Sequence, residues 1–115
     1  MVPVSVIETP EFISSSSKLF EVDERALLVD YLARNPSAGA IMPGTGGMRK
    51  LRWALQGRGK RGGARVIYFY YNESVPIFLL TAYAKNELEN ISQKDRNSFK
   101  KLTAILVDQF KGKQK

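Results

Sequence analysis

The chain has 115 residues, enough for one domain with a sizeable core. It contains neither Cys nor His, which excludes disulfides, thiolate or imidazole metal sites, and Ser-His-Asp or Cys-His catalysis. Its 43% hydrophobic and 25% charged residues are ordinary globular composition, while a net charge of +7 points to an anionic partner.

That charge is concentrated. Between Tyr31 and Asn72 stand eight basic residues and no acid, so this segment carries +8 and the remainder of the chain −1. Seven of the eight fall between Arg49 and Tyr71, in RKLRWALQGRGKRGGARVIYFYY. A segment of this kind suits a polyanion, and nucleic acid above all. No apolar run approaches the roughly 20 residues a bilayer span needs, and the N-terminus lacks the basic start of a signal peptide. A cytoplasmic protein is expected.

In chain order, the β-branched run Val2–Ile7 predicts a first strand. Thr9 suits a helix N-cap, with Pro10 in the first position and Glu11 in the first turn. The helix that follows, EFISSSSKLF, is weakened by four successive serines that compete for backbone hydrogen bonds. Asp23 reads as the cap of a stronger helix, Glu24–Arg34, with Leu27, Leu28, Tyr31 and Leu32 on one face and Asn35-Pro36 as its stop.

The Pro- and Gly-rich stretch from Asn35 to Met48 lacks P-loop spacing and is expected to be a turn-rich connector. Arg49–Leu55 and Arg65–Tyr71 then read as two strands joined by the loop GRGKRGG. Alternation places Lys50 and Arg52 on one face, and Arg49, Leu51, Trp53 and Leu55 on the other, beneath the helices. In the next strand Arg65 shares a face with Ile67, Phe69 and Tyr71, and packing is the main use expected of the aromatic run. Val75–Tyr83 is apolar throughout, hence buried on both faces and central. Ser92 and Asp95 mark the start of a last helix, Gln93–Phe110, with Phe99, Leu102, Leu106 and Phe110 on one stripe. Residues 110–115 are expected to be a flexible basic tail.

The order β-α-α-β-β-β-α predicts a small α+β domain, residues 1–115, in which an antiparallel sheet is packed by an N-terminal helical hairpin and a C-terminal helix.

TPEF, the helix ending in NP, PGTGGMRKLRWA, GRGKRGGARVIYFYY and LLTAYAKNELENIS occur in this order. Together they resemble the RelE/HigB toxins of type II toxin–antitoxin modules, within the RelE/ParE superfamily. The likeness runs from about Val4 to Phe110, and YAKNE places it nearest the HigB-like branch. It implies a RelE-like fold and a metal-independent endoribonuclease that needs no cofactor. Such a toxin enters the ribosomal A site and cuts mRNA by in-line attack of a 2′-OH, inhibiting translation.

Basic residues take the place of the usual ribonuclease His and Glu in such toxins, and the matching positions are Lys50, Arg52, Arg65 and Lys85. Arg49, Arg58, Lys60, Arg61 and Tyr83 are the expected contacts with RNA and the ribosome. Some members carry an Arg and a Tyr beyond the last strand; here AKNELENIS has neither, which leaves Lys85 and Tyr83. The implied partners are a helix-turn-helix, HigA-like antitoxin and mRNA on the ribosome with its 16S rRNA, and no membrane. The alternatives are a ParE-like poison of DNA gyrase without nuclease activity and a non-catalytic RNA-binding module.

Overall fold

Short apolar strands and two faces of helical packing make a three-layer arrangement. The computed structural model describes residues 3–53, 63–84 and 93–113. The loop with Arg58, Lys60 and Arg61, and the segment with Lys85 and the helix start expected at Ser92, lie outside those residues. The elements are β1 (Val6–Glu8), α1 (Pro10–Ser17), α2 (Val22–Arg34), β2 (Ala40–Ile41), β3 (Met48–Trp53), β4 (Ala64–Phe69), β5 (Ile77–Ala84) and α3 (Gln93–Lys113).

The strands form one sheet in the order β1-β5-β4-β3-β2. The α+β class and the helix–sheet packing are as expected, with two differences in the sheet. It is mixed, because β1 pairs parallel with β5, Val6 opposite Ile77. It also gains a two-residue strand, β2, inside the stretch read as a connector. An edge strand so short leaves little periodicity in the sequence.

Thr9 caps α1 as expected: its hydroxyl accepts from the Phe12 amide at 3.2 Å, and Pro10 opens the helix. The same hydroxyl donates to the Leu79 carbonyl at 2.8 Å, tying the cap to β5. The serines lie within the helix, with Ser15 and Ser17 donating to carbonyls three or four residues back. Ser15 also accepts from the Ala82 amide, at 3.0 Å.

The start of α2 differs from expectation. Its N-cap is Glu21, without a side-chain capping bond, and Asp23 lies in the first turn, where an acid favours the helix dipole. Leu28 and Leu32, one turn apart, are fully buried, but Leu27 and Tyr31 are 55% and 40% exposed. Glu24, Leu28 and Leu32 form the row against the sheet, and a residue one place earlier is turned about 100° away from it.

One core lies between the sheet and α1/α2, with Phe12, Leu28, Leu32, Leu51, Val66 and Tyr68. The other lies under α3, where Met48, Ile67, Phe69, Phe78 and Leu80 meet Phe99, Leu102 and Leu106. α3 runs through Lys113, three residues beyond its expected end. Among the described residues no helix is long and apolar enough to cross a membrane.

A candidate nucleic-acid interface

Strand register decides which cations meet. Arg52 on β3 lies directly opposite Arg65 on β4, and Arg65 directly opposite Tyr83 on β5. Directly paired residues share a face, with Cβ atoms about 5 Å apart. Lys50, two residues before Arg52, is on that face too, opposite Ile67. Lys50, Arg52, Arg65 and Tyr83 therefore form one patch on the α3 side of the sheet. Arg52 is exposed, Lys50 and Arg65 are half-buried, and Tyr83 is buried.

Tyr83 reaches this face because of an irregularity. Phe78 and Tyr83 both pack in the α3-side core although they are five residues apart, an odd spacing that would put them on opposite faces of a regular strand. The pairing shifts between Ile67 and Tyr68, so that Ile67 meets Thr81 while Tyr68 meets Leu79. Leu80 is the extra residue of this bulge. Without it, the phenol beside Arg65 would point at α1 and α2.

The root of β3 is held by α3. Thr45 donates to the Met42 carbonyl at 2.7 Å and accepts from the Met48 amide at 3.0 Å, closing the turn between β2 and β3. Thr103 of α3 donates to the Thr45 carbonyl at 3.4 Å, and Arg96 donates to the carbonyl of Pro43. A Cβ on Gly46, whose φ is +79°, would stand 2.1 Å from the Thr103 hydroxyl. The two residues of β3 that face the patch thus extend from an anchored turn. Sequence reading missed Thr45, Arg96 and Thr103; the only local signal was a Thr flanked by glycines.

Burial raises the Tyr83 phenol above its ordinary pKa of 10.0, with the positive charge of Arg65 opposing. At neutral pH it keeps its proton and is a hydrogen-bond donor. Arg65 donates to the Ala64 carbonyl at 3.4 Å. The patch thus offers guanidinium, ammonium and phenol donors, and the sequence around it from Tyr31 to Asn72 has no acid. A phosphodiester suits such a surface.

Arg49 is not brought to this patch. It pairs with Tyr68 in the sheet and lies on the α2 side, its Nη1 donating to the carbonyls of Gly39 at 2.8 Å and Ser37 at 3.3 Å. Alternation had set Arg49 opposite Lys50 and Arg52, and the structure keeps it there. Of the other expected site residues, Arg58, Lys60, Arg61 and Lys85 lie outside the described residues. The aromatic run divides by depth: Tyr68 and Phe69 are buried, Tyr70 half-buried and Tyr71 42% exposed.

Residues 36–114 match the family model described as the RelE toxin of the RelE / RelB toxin-antitoxin system. The matched span takes in β2 to β5 and all of α3, hence every described residue of the patch. The chain therefore belongs to the RelE family of toxins, whose counterpart in the module is an antitoxin.

Proposed function

We propose that this toxin is a ribosome-dependent mRNA endonuclease of the HigB-like branch, acting in the cytoplasm on mRNA in the ribosomal A site. The observation that carries the reading is the row Arg52–Arg65–Tyr83 with Lys50 beside it on one rigid face. A phosphodiester laid across the row places its non-bridging oxygens against the two guanidinium groups. The 2′-OH of the preceding ribose attacks the phosphorus in line and the bond to the 5′-oxygen breaks, giving a 2′,3′-cyclic phosphate and a free 5′-OH. The free-amine form of Lys50 or Lys85 takes the 2′-OH proton and becomes an ammonium, a role closed to arginine, and the leaving oxygen gains a proton from solvent. Arg52 and Arg65 stabilise the charge that builds in the transition state. Tyr83 donates to the RNA. Arg58, Lys60 and Arg61 contact RNA along the backbone or on the ribosome, and Arg49 supports the sheet from the far side. A helix-turn-helix antitoxin of the HigA type neutralises the toxin.

Arg65→Ala is expected to lower cleavage by about 100-fold or more, the scale for losing one preorganised charge-stabilising donor, while circular dichroism and the thermal transition stay near wild type. Mapping mRNA ends after induction decides the reading. Translation-dependent cuts phased to codons support it. A DNA-damage response without cuts would instead indicate a gyrase poison, and neither outcome would leave a non-catalytic RNA binder.

A further inference from the structure

We infer that a second site, on the face opposite the arginine row, receives an unstacked nucleobase of RNA. The site is an open pocket of about 480 Å³ lined by Tyr31, Arg34, Pro36, Ser37, Ala38 and Tyr70, among others, within the roughly 300–1,000 Å³ of small-ligand sites. The inference rests on RNA being the toxin's ligand and adds a place where a base, not a phosphate, is held.

Three observations support it. The first is a large ring left at the surface: Tyr31 is 40% exposed, and Tyr70 beside it in the lining is half-buried. Tyr31 is braced from behind by Trp53, ring centroids 5.5 Å apart and planes tilted by 52°. The second is rigidity. The buried Tyr68 hydroxyl donates to the Pro36 carbonyl and accepts from the Gly39 amide, both at 2.8 Å, and Arg49 holds the Ser37 and Gly39 carbonyls. The wall formed by residues 36–38 is thus pinned from below, and a preformed pocket avoids the ordering cost of binding.

The third is charge and shape. Arg34 stands in the lining, its Nε held by both oxygens of Asp30 at 3.1 and 3.2 Å. This places a planar guanidinium in the same lining as two phenol rings, its charge shared with Asp30. Aromatic faces and guanidinium planes are what unstacked RNA bases pack against. A partner protein helix would instead need a continuous apolar stripe, and the exposed residues here include Arg34, Asn35 and Ser37.

Trp53 is the only tryptophan in the chain and touches Tyr31, so its fluorescence reports on the pocket. The full chain would be titrated with a short single-stranded RNA carrying 2′-O-methyl groups, which cannot be cleaved. Saturable quenching is expected, with Kd raised about tenfold by Tyr31→Leu or Tyr70→Leu, in line with the loss of one base-stacking contact. An abasic strand, equal in charge, should leave the fluorescence unchanged. The double variant Arg52→Ala/Arg65→Ala should lose cleavage yet still show quenching at higher RNA concentration. Equal affinity of wild type and the Tyr variants, or full quenching by the abasic strand, would overturn the site even if mRNA cleavage were intact. Quenching by purified antitoxin and not by RNA would assign the pocket to a protein and overturn it too. If no RNA bound at all, the site would fall, while the ribosome-dependent nuclease reading would be decided separately by the mapped mRNA ends.

Discussion

Tyr68 shows how one buried side chain can hold up a surface from beneath. Its ring is fully buried and its hydroxyl joins Pro36 and Gly39 across the sheet. A Cβ on Gly39 would come within 2.9 Å of that ring, so the close approach needs glycine. Tyr68→Phe removes the only donor to the Pro36 carbonyl named above and strands the buried Gly39 amide, at a cost of about 1–3 kcal/mol by urea denaturation at pH 7. The phenol also makes stability depend on alkali. Burial raises its pKa above 10.0, while the Gly39 amide and the Arg49 charge pull the other way. The native state therefore holds the proton more tightly than the unfolded chain does. This contribution is complete below about pH 10 and is lost as the pH climbs through the native-state value. Tyr83 is shifted in the same direction. Unfolding free energy should fall above about pH 10, and the fall should be shallower in Tyr68→Phe; equal slopes would place the alkaline sensitivity elsewhere.

Among the elements, the turn before β3 and the helix above it act as one unit. Gly46→Ala puts a side chain at φ +79° and 2.1 Å from the Thr103 hydroxyl, so that the Thr103 side chain must turn away or α3 must shift. A loss of about 2 kcal/mol or more is expected from the left-handed conformation and the crowding together. Thr103→Ala in the same chain should restore part of it, as a thermal double-mutant cycle would show. Strand pairing also explains what was readable beforehand. The common face of Lys50 and Arg52, and the packing of Leu51 and Trp53 against the core on the other, follow from two-residue alternation, because β3 and β4 pair without a shift. That Tyr83 joins Arg65 did not follow, because it depends on a bulge at Leu80 that an unbroken apolar run does not reveal. Asp23 misled for another reason. A good capping residue two positions inside a helix is still a good first-turn residue, and the local pattern does not separate the two.

At the scale of the whole molecule the chain is electrically lopsided. Residues 1–35 carry six acids and three bases, whereas the segment from Tyr31 to Asn72 carries only bases. With about five cations touching single-stranded RNA, log affinity should fall against log salt with a slope near −3.5. A flat response in a filter-binding titration would mean that the positive segment serves solubility alone. The sheet is also closed by distant partners: β1 pairs with residues some seventy positions later, and the α1 cap bonds the same strand. During synthesis the first strand must wait unpaired until Ile77–Ala84 has emerged, since non-local pairing comes late. The phenol of the patch, Tyr83, comes from that same strand. A nascent or prematurely terminated copy therefore carries every cation of the segment from Tyr31 to Asn72 while Tyr83 is missing and one edge of β4 stands bare.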